Sequence, residues 1–520
     1  MAMDLIRVPV KNPVGVIKDP NPSDLPLTTW DDVRNVRFHN GKTYKSQGHE
    51  QVFPSPPANP LYLMPYLSQN VPYWFSASAG KLHRTEGTTW VDVSRPTGGA
   101  YGASLDRNWN GGFLNQVAIM NNSFDIPQSM QPTGSTFVDL PNWPAAYRAK
   151  IIRPFKNYLV ALNITNNSVD QPTTVKWSSP ADPGEVPFTW DVNDATNDAG
   201  ESFLADTPGA IVDGKKLKDS FIIYKEDSVY AMRYIGGVFI FQFQQLFDDI
   251  GMIAPNCVAE FDGKHFVVGQ GDVYVHNGVQ KSSVIDGKMK AYLYDSFKQG
   301  GGGTNTFVVP DYNNTEMWIC YQRGSSQSDI PYANQALIWN WRSDTWTIRD
   351  LPEVTFGTHG IVDPQKSDAW DDDNQTWDTD TTVWGSASYN PSKTKLVFSS
   401  PPDNTIYTIG DVSEFAGKPF FSYMEKTNIS LDDDLNLKNI TGLTPHITGS
   451  GEAKIYIGSN NLSDGAVTWQ GPYTYRIGQD FKVDCRVNGR YFGVRFEFSS
   501  VGTWTLNGYT FEMTKPIGKR

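Results

Sequence analysis

The feature that most limits the fold is a long series of short apolar runs, set between turn residues from about Asn59 to Asp411. Pro72 to Ala79 reads as a strand, Lys81 to His83 as its hairpin partner and Thr88 to Val93 as a third. The unit returns at Gln116 to Met120 with Thr136 to Leu140, then at Tyr158 to Leu162 with Thr174 to Trp177 and Phe188 to Trp190. Ser220 to Tyr224 pairs with Ser228 to Arg233. His265 to Gly269 precedes Val273 to His276, with Asn277 and Gly278 as the turn. Thr306 to Val309, Glu316 to Cys320, Ala336 to Trp339, Asp344 to Ile348, Lys395 to Phe398 and Thr405 to Thr408 complete the series. The groups recur at intervals of roughly 40–50 residues, the period of four-stranded propeller blades. A blade cannot bury both faces alone, so blades stack around an axis. Several units end in Trp, at Trp90, Trp190 and Trp346. The spacing leaves the number of blades open.

Composition agrees with an all-β chain. Sixteen Trp, 24 Tyr and 28 Phe stand against 19% charged residues, and aromatics fit a pleated, half-buried surface. Forty-five Gly and 34 Pro supply the turns that many short strands need. The best helix candidate is Met289 to Phe297, stopped by Gly300 to Gly303.

The two ends differ from the middle. Residues 1–55 read as an N-terminal arm with a β-ribbon, in which Val36 to Phe38 leads into Asn40-Gly41, a type I′ hairpin signal. Residues 56–415 form the propeller-like body. Residues 416–520 alternate cleanly: Arg495 and Glu497 face one way while Val494, Phe496 and Phe498 face the other. That pattern predicts a C-terminal β-sandwich, with Phe496, Phe498, Trp504, Leu506, Tyr509 and Phe511 on two adjacent strands joined by Ser499 to Gly502.

Net charge is −12 and the pI about 5.1. A duplex-gripping protein needs Lys/Arg stripes to neutralise phosphates, and none is visible. Cys257, Cys320 and Cys485 are too few and too scattered for a disulfide framework or a zinc site. The N-terminus has no apolar signal core and no apolar run approaches 18 residues, so a soluble chain folded in a reducing cytoplasm is expected.

Catalytic motifs are missing: no nucleophile elbow, P-loop, HExxH or dinucleotide fingerprint occurs. Gly269-Gln270-Gly271 reads as a strand-to-strand turn, and seven scattered His nominate no metal site. Ser179 to Trp190 is loosely like the Asp-box turn of sialidases, with too long a spacing. Asp371 to Asn374 and Asp432 to Asp434 lack the alternation of a calcium loop and read as solvated. Sequons at Asn163, Asn166, Asn313 and Asn428 are taken as accidental. No enzyme activity, cofactor or metal is expected.

Three stretches together resemble the tail nozzle, or tail tube terminal protein, of short-tailed bacteriophages. They are Trp30 to Gly48, with Arg34, Asn35, Val36, Arg37 and Phe38; Ser367 to Trp384; and Asn488 to Arg520, with Arg490 to Phe498 and Trp504 to Met513. The resemblance implies a virion protein assembled in the host cytoplasm, forming a ring, usually a hexamer, beneath the portal and adaptor. It implies a β-propeller in each subunit, tail fibres at the side, and DNA passing through without specific binding. It implies no membrane span.

Trp370, Trp377 and Trp384 lie seven residues apart in a stretch dominated by Asp, Asn and Thr. Two readings stand, a subunit-contact loop, since Trp is enriched at interface centres, or aromatic packing within one subunit. Arg490 joins them as an interface residue that braces the sheet surface or a neighbouring chain. The alternative function is a carbohydrate-binding propeller, a tail-associated lectin or degraded glycosidase, with exposed Trp near turns stacking on sugars.

Overall fold

The computed structural model describes residues 5–68, 71–87, 89–194, 196–299, 303–324, 331–362, 394–410, 412–431 and 434–514. Among these residues, seven four-stranded antiparallel sheets follow one another. Blades 1 to 6 cover residues 62–92, 110–139, 147–203, 211–247, 258–283 and 307–354. Blade 7 takes three strands from 356–410 and its outermost strand, Gly48–Gln51, from the N-terminal region. Its innermost strand, Phe356–Ile361, packs against Tyr62–Ser68 of blade 1. The ring of sheets is closed, and the chain is an all-β propeller.

Inner strands are enclosed by a blade on either side, so they are apolar on both faces. Val117–Asn121, Glu316–Tyr321 and Thr405–Gly410 are buried at every position. This is why they read as continuous apolar runs rather than as alternation. A Cβ on Gly357 would lie 2.5 Å from the ring of Phe398, its partner on the next strand of the blade, and 2.9 Å from Val309 of blade 6, so the close packing here requires glycine.

The second unit is a β-sandwich. One sheet is ordered Val36–His39, Lys42–Lys45, Trp504–Thr514, Lys438–Gly449, Val483–Gly489, with Leu5–Lys11 also pairing with Trp504–Thr514. The other is Asp32–Arg34, Ser422–Ile429, Tyr491–Phe498, Glu452–Asn460, Thr468–Arg476. Trp30, 1% exposed, packs edge-on to Phe496 at 6.2 Å and tilts against Tyr509 at 6.0 Å.

Two local expectations hold. Asn40 and Gly41 adopt φ of 48° and 70°, as a type I′ turn demands. The helix forms at Lys290–Gln299, and Asp19 accepts the Ala291 N–H at 3.1 Å.

Three others need correction. Residues 1–55 are not an arm of their own, because their described strands enter the sandwich and blade 7. Tyr491–Phe498 and Trp504–Thr514 lie in opposite sheets, so Ser499 to Gly502 crosses the sandwich. Alternation shows that one face is buried, not whether its cover lies beside or opposite. Phe188 to Trp190 belongs to a loop between Val169–Trp177 and Gly200–Phe203, where Trp190 packs on Trp143 at 4.7 Å.

Trp504 is 2% exposed and stacked on Phe498 at 3.9 Å across the sandwich. Replacing a buried indole by Ala costs about 3–5 kcal/mol. Trp504→Ala is therefore expected to lower the urea midpoint sharply or leave the chain insoluble. A soluble variant with the parent midpoint would mean that the two sheets do not depend on this contact.

Candidate functional site

The propeller axis holds a cavity of about 480 Å³, bordered by innermost-strand residues of several blades, among them Tyr62, Gly111, Arg153, Asp213 and His359. Arg153 of blade 3 grips Asp213 of blade 4 with two parallel bonds, Nε to Oδ1 at 2.9 Å and Nη2 to Oδ2 at 2.7 Å. Its remaining donors reach Asn256 Oδ1 at 2.9 Å and the Gly111 carbonyl at 3.3 Å. Asp213 also accepts the N–H groups of Gly214 and Asn256. Burial alone would raise the Asp213 carboxyl, but the adjoining guanidinium and these donors hold it below its ordinary range. The same attraction keeps Arg153 fully charged despite burial. Burial, reinforced by the Arg153 charge, pulls the neighbouring Lys215 ammonium down. A paired charge beside the axial cavity therefore ties together blades 2, 3 and 4 and the lead-in to blade 5.

A second cavity, of about 360 Å³, shares Asn256 with the first. Asp106, Arg107, Asn108, Lys150, Glu226 and Gln270 give it a polar lining. The Arg107 guanidinium lies 5.1 Å from the ring of Phe124, a residue 53% exposed.

A second polar staple joins blades 4 and 5. The buried Tyr224 hydroxyl is 2.7 Å from both His265 Nδ1 and His276 Nε2. His276 Nδ1 accepts the Gly278 N–H, and His265 Nε2 faces the Lys216 carbonyl at 2.9 Å. The pattern assigns one proton per ring, running from His276 through Tyr224 to His265. Burial depresses His265 to about 3 and His276 to about 4.

The third locus is the seam between sandwich and blade 6. Arg34 Nε bonds both oxygens of Asp350 at 2.8 and 2.9 Å, and Arg37 pairs with the buried Glu316. Asn35, at φ 55°, donates from Nδ2 to Asp350 and accepts the Asp350 N–H, both at 2.8 Å. Asn35 also donates its backbone N–H to the Ile348 carbonyl at 2.9 Å.

No family model matches the chain, and no curated protein does. Among solved structures, it is similar to the extracellular domain of a hybrid two-component system from B. thetaiotaomicron. That likeness has 8% identity and a TM-score of 0.40, over 76% of this chain and 43% of the other. The chain thus spans less than half of that protein. It is also similar to the WD40 domain of Toxoplasma gondii coronin, at 8% identity and a TM-score of 0.37, over 73% and 86% of the two chains.

Of the residues nominated from sequence, Trp370, Trp377 and Trp384 lie outside the described residues, as do Asp371 to Asn374, Asp432 and Asp433. Arg490 is half-buried at the turn between two sandwich strands, its N–H donating to the Asn460 carbonyl at 3.3 Å. The structure does not bring Arg490 to the axis or to the blade 6 seam. Among the described residues, no group of three or more His, Cys, Asp or Glu is placed to hold a metal ion. Arg153 and Asp213 escaped the sequence reading. Their signal was a single charge inside an apolar strand, in Ile151-Ile152-Arg153 and Ile211-Val212-Asp213.

Two predictions follow from these groups. Asp213→Asn strands a buried guanidinium and is expected to cost about 3–5 kcal/mol, whereas Arg153→Met with Asp213→Leu costs less than Asp213→Asn alone. Chemical denaturation of the two variants checks the order. The second concerns acid. His49 is held at about 3 by burial and the nearby Arg349, and it joins His265 and His276 as rings neutral in the fold. Their depressed values make stability fullest above the unfolded value of about 6.5 and lost as pH falls toward 4 and 3. At pH 5 each costs about 2 kcal/mol. Glu425, raised to about 7 by burial and then by Asp31, works in the opposite sense and recovers about 2–3 kcal/mol. The urea midpoint should therefore fall between pH 7 and 5, and a flat profile would contradict the buried neutral rings.

Proposed function

We propose that this chain is a structural virion protein, the ring-forming nozzle subunit of a short phage tail. In this reading it docks below the adaptor and portal, carries fibres at its side, and conducts the genome during ejection. The observation that supports it is the meeting of two distant stretches that carry the resemblance. Trp30 from the first lies against Phe496 and Tyr509 from the last, and Arg34, Asn35 and Arg37 fasten the resulting sandwich to blade 6. Their order along the chain thus reflects one folded unit. The space at the propeller axis, about 480 Å³ lined by all seven innermost strands, is too small for a duplex, so in this reading the conduit lies between subunits, in a ring that the resemblance puts at six. Trp370, Trp377, Trp384 and Arg490 remain subunit-contact residues of this reading.

One observation favours a second reading, the carbohydrate-binding propeller. The polar cavity of about 360 Å³, whose Arg107 lies 5.1 Å from the exposed Phe124 ring, has the mixture of amides and charges beside an aromatic face that sugars use. A glycan array with the purified chain tests it directly.

For the nozzle, mass photometry and negative-stain imaging should show ring-sized species, alone or with isolated adaptor rings. A strict monomer that ignores the adaptor would overturn the reading. Filter binding to free duplex at about 50 mM salt, where cationic contacts are strongest, should be weaker than micromolar. Sub-micromolar binding with a steep salt slope would reveal a basic groove incompatible with a passive conduit.

A further inference from the structure

The outermost strand of a propeller blade has one hydrogen-bonding edge free. Proteins protect such edges by shortness, by charge or by a covering segment. In six of the seven blades described here, at least one of these devices is present. Thr89–Asp92, Val138–Asp139, Gly200–Phe203 and Lys281–Ser283 have two to four residues, and each carries a charge. Thr345–Val354 of blade 6 is covered, its Trp346 and Ile348 carbonyls accepting the N–H groups of Val16 at 3.1 Å and Asn35 at 2.9 Å. Gly48–Gln51 of blade 7 is covered by Val412 to Ala416.

Among the described residues, blade 4 uses none of them. Its outermost strand, Phe241–Phe247, is seven residues long and ends its sheet. From Tyr234 to Phe247 there is no Asp, Glu, Lys or Arg, in a chain that is 19% charged. Gln242, Gln244 and Gln245 are exposed. The hairpin leading into the strand adds Tyr234, Ile235 and Phe239, which are 44, 53 and 77% exposed. Ile240 is held at φ 47°, a strained value for a β-branched residue, although the turn leaves Phe239 in solvent. The base is anchored, since Tyr234 lies 5.8 Å from Phe241 and under the Lys156 ammonium at 4.9 Å.

We infer that this edge and hairpin are the contact through which one copy of the chain packs against a second copy. Charge selects the partner's approach. Each copy carries −12, so two copies repel over most of their surfaces and meet most readily where charge is absent. Blade 6 shows the mode within the molecule itself, an extended segment laid along an outermost strand. A strand from a different face of the second copy laid on Phe241–Phe247, head to tail as a ring requires, is the intermolecular form of that contact. This inference rests on the ring-assembly reading above.

The test uses the full chain and two double variants at exposed positions, Ile235→Asp with Phe239→Asp and Gln242→Lys with Gln244→Lys. Phe481→Asp, at a sandwich residue 77% exposed, is the control. Mass photometry should show self-association weakened by about 100-fold in both double variants, with circular dichroism and thermal midpoint unchanged. The control should assemble like the parent. If both double variants form rings like the parent, the contact is elsewhere and the ring reading stands. Equal loss in Phe481→Asp would show a general charge effect and overturn the assignment. A parent that stays monomeric even with adaptor rings overturns both readings. The assignment also falls if that monomer floats with phosphatidylethanolamine–phosphatidylglycerol vesicles through Phe239.

Discussion

A row of seven sheets has two raw ends, and the molecule depends on joining them. The joint is one short strand, Gly48–Gln51, which pairs with Thr405–Gly410 from Tyr407↔Gln51 to Gly410↔Gly48. Its far side is closed as well. The Gly48 N–H reaches the Val412 carbonyl at 2.6 Å, and a Cβ there would lie 2.1 Å from the Glu414 carbonyl oxygen, so only glycine fits. His49 stacks on Phe415 at 4.5 Å, and Phe415 on Phe420 at 3.9 Å. Three residues earlier, the Lys45 ammonium binds the carbonyls of Ser413 at 2.9 Å and Ser500 at 2.8 Å. One stretch of chain therefore leaves the sandwich, ties both units together and closes the ring. Pairing residues this far apart in sequence carries a large loop-closure entropy, which places the joint among slow, late contacts of folding.

Seven similar sheets packed by apolar faces have little to tell one neighbour from another. Directional groups supply the distinction. Arg153 with Asp213 and Tyr224 with His265 and His276 each have a single satisfying arrangement, and each spans a blade boundary. Buried pairs of this kind add little net stability over apolar packing, because desolvation offsets attraction, but breaking one is costly. Arg349 shows the limit of the device. Its guanidinium is fully buried without a hydrogen-bond partner among the described residues, lies 5.0 Å from the Trp318 ring and 5.2 Å from Phe415, and is pulled by burial to about 9. Aromatic faces return part of the lost hydration of such a cation.

How much of this was legible in the sequence follows from the range of each interaction. Strands and turns are local: the runs around Phe75, Ile119 and Val267 and the Asn40-Gly41 turn announce themselves within a few residues. Pairings are not local. Nothing near Gly48 says that its partner is Gly410, and nothing near Ser499 says that the chain changes sheets there. The same holds for the site. Arg34, Asn35 and Arg37 stood out as a motif, while their partners Asp350 and Glu316 lie about 280–315 residues away and look ordinary. Arg153 and Asp213 were visible only as charges out of place in apolar strands, a signal equally expected of a strand end.

The way polar groups are used at the axis bears on where this molecule does its work. A guanidinium offers five N–H donors, and Arg153 directs them to Asp213, Asn256 and Gly111. Asp213 in turn is filled by Arg153, Gly214 and Asn256. A ligand that sought hydrogen bonds from Arg153 or Asp213 would have to compete with bonds already made in a desolvated setting. The perimeter has the opposite character. There the longest charge-free run that reaches an outermost strand among the described residues extends from Tyr234 to Phe247. A fold that satisfies these central groups and leaves one outermost strand uncharged has the features that the proposed packing of copies would use.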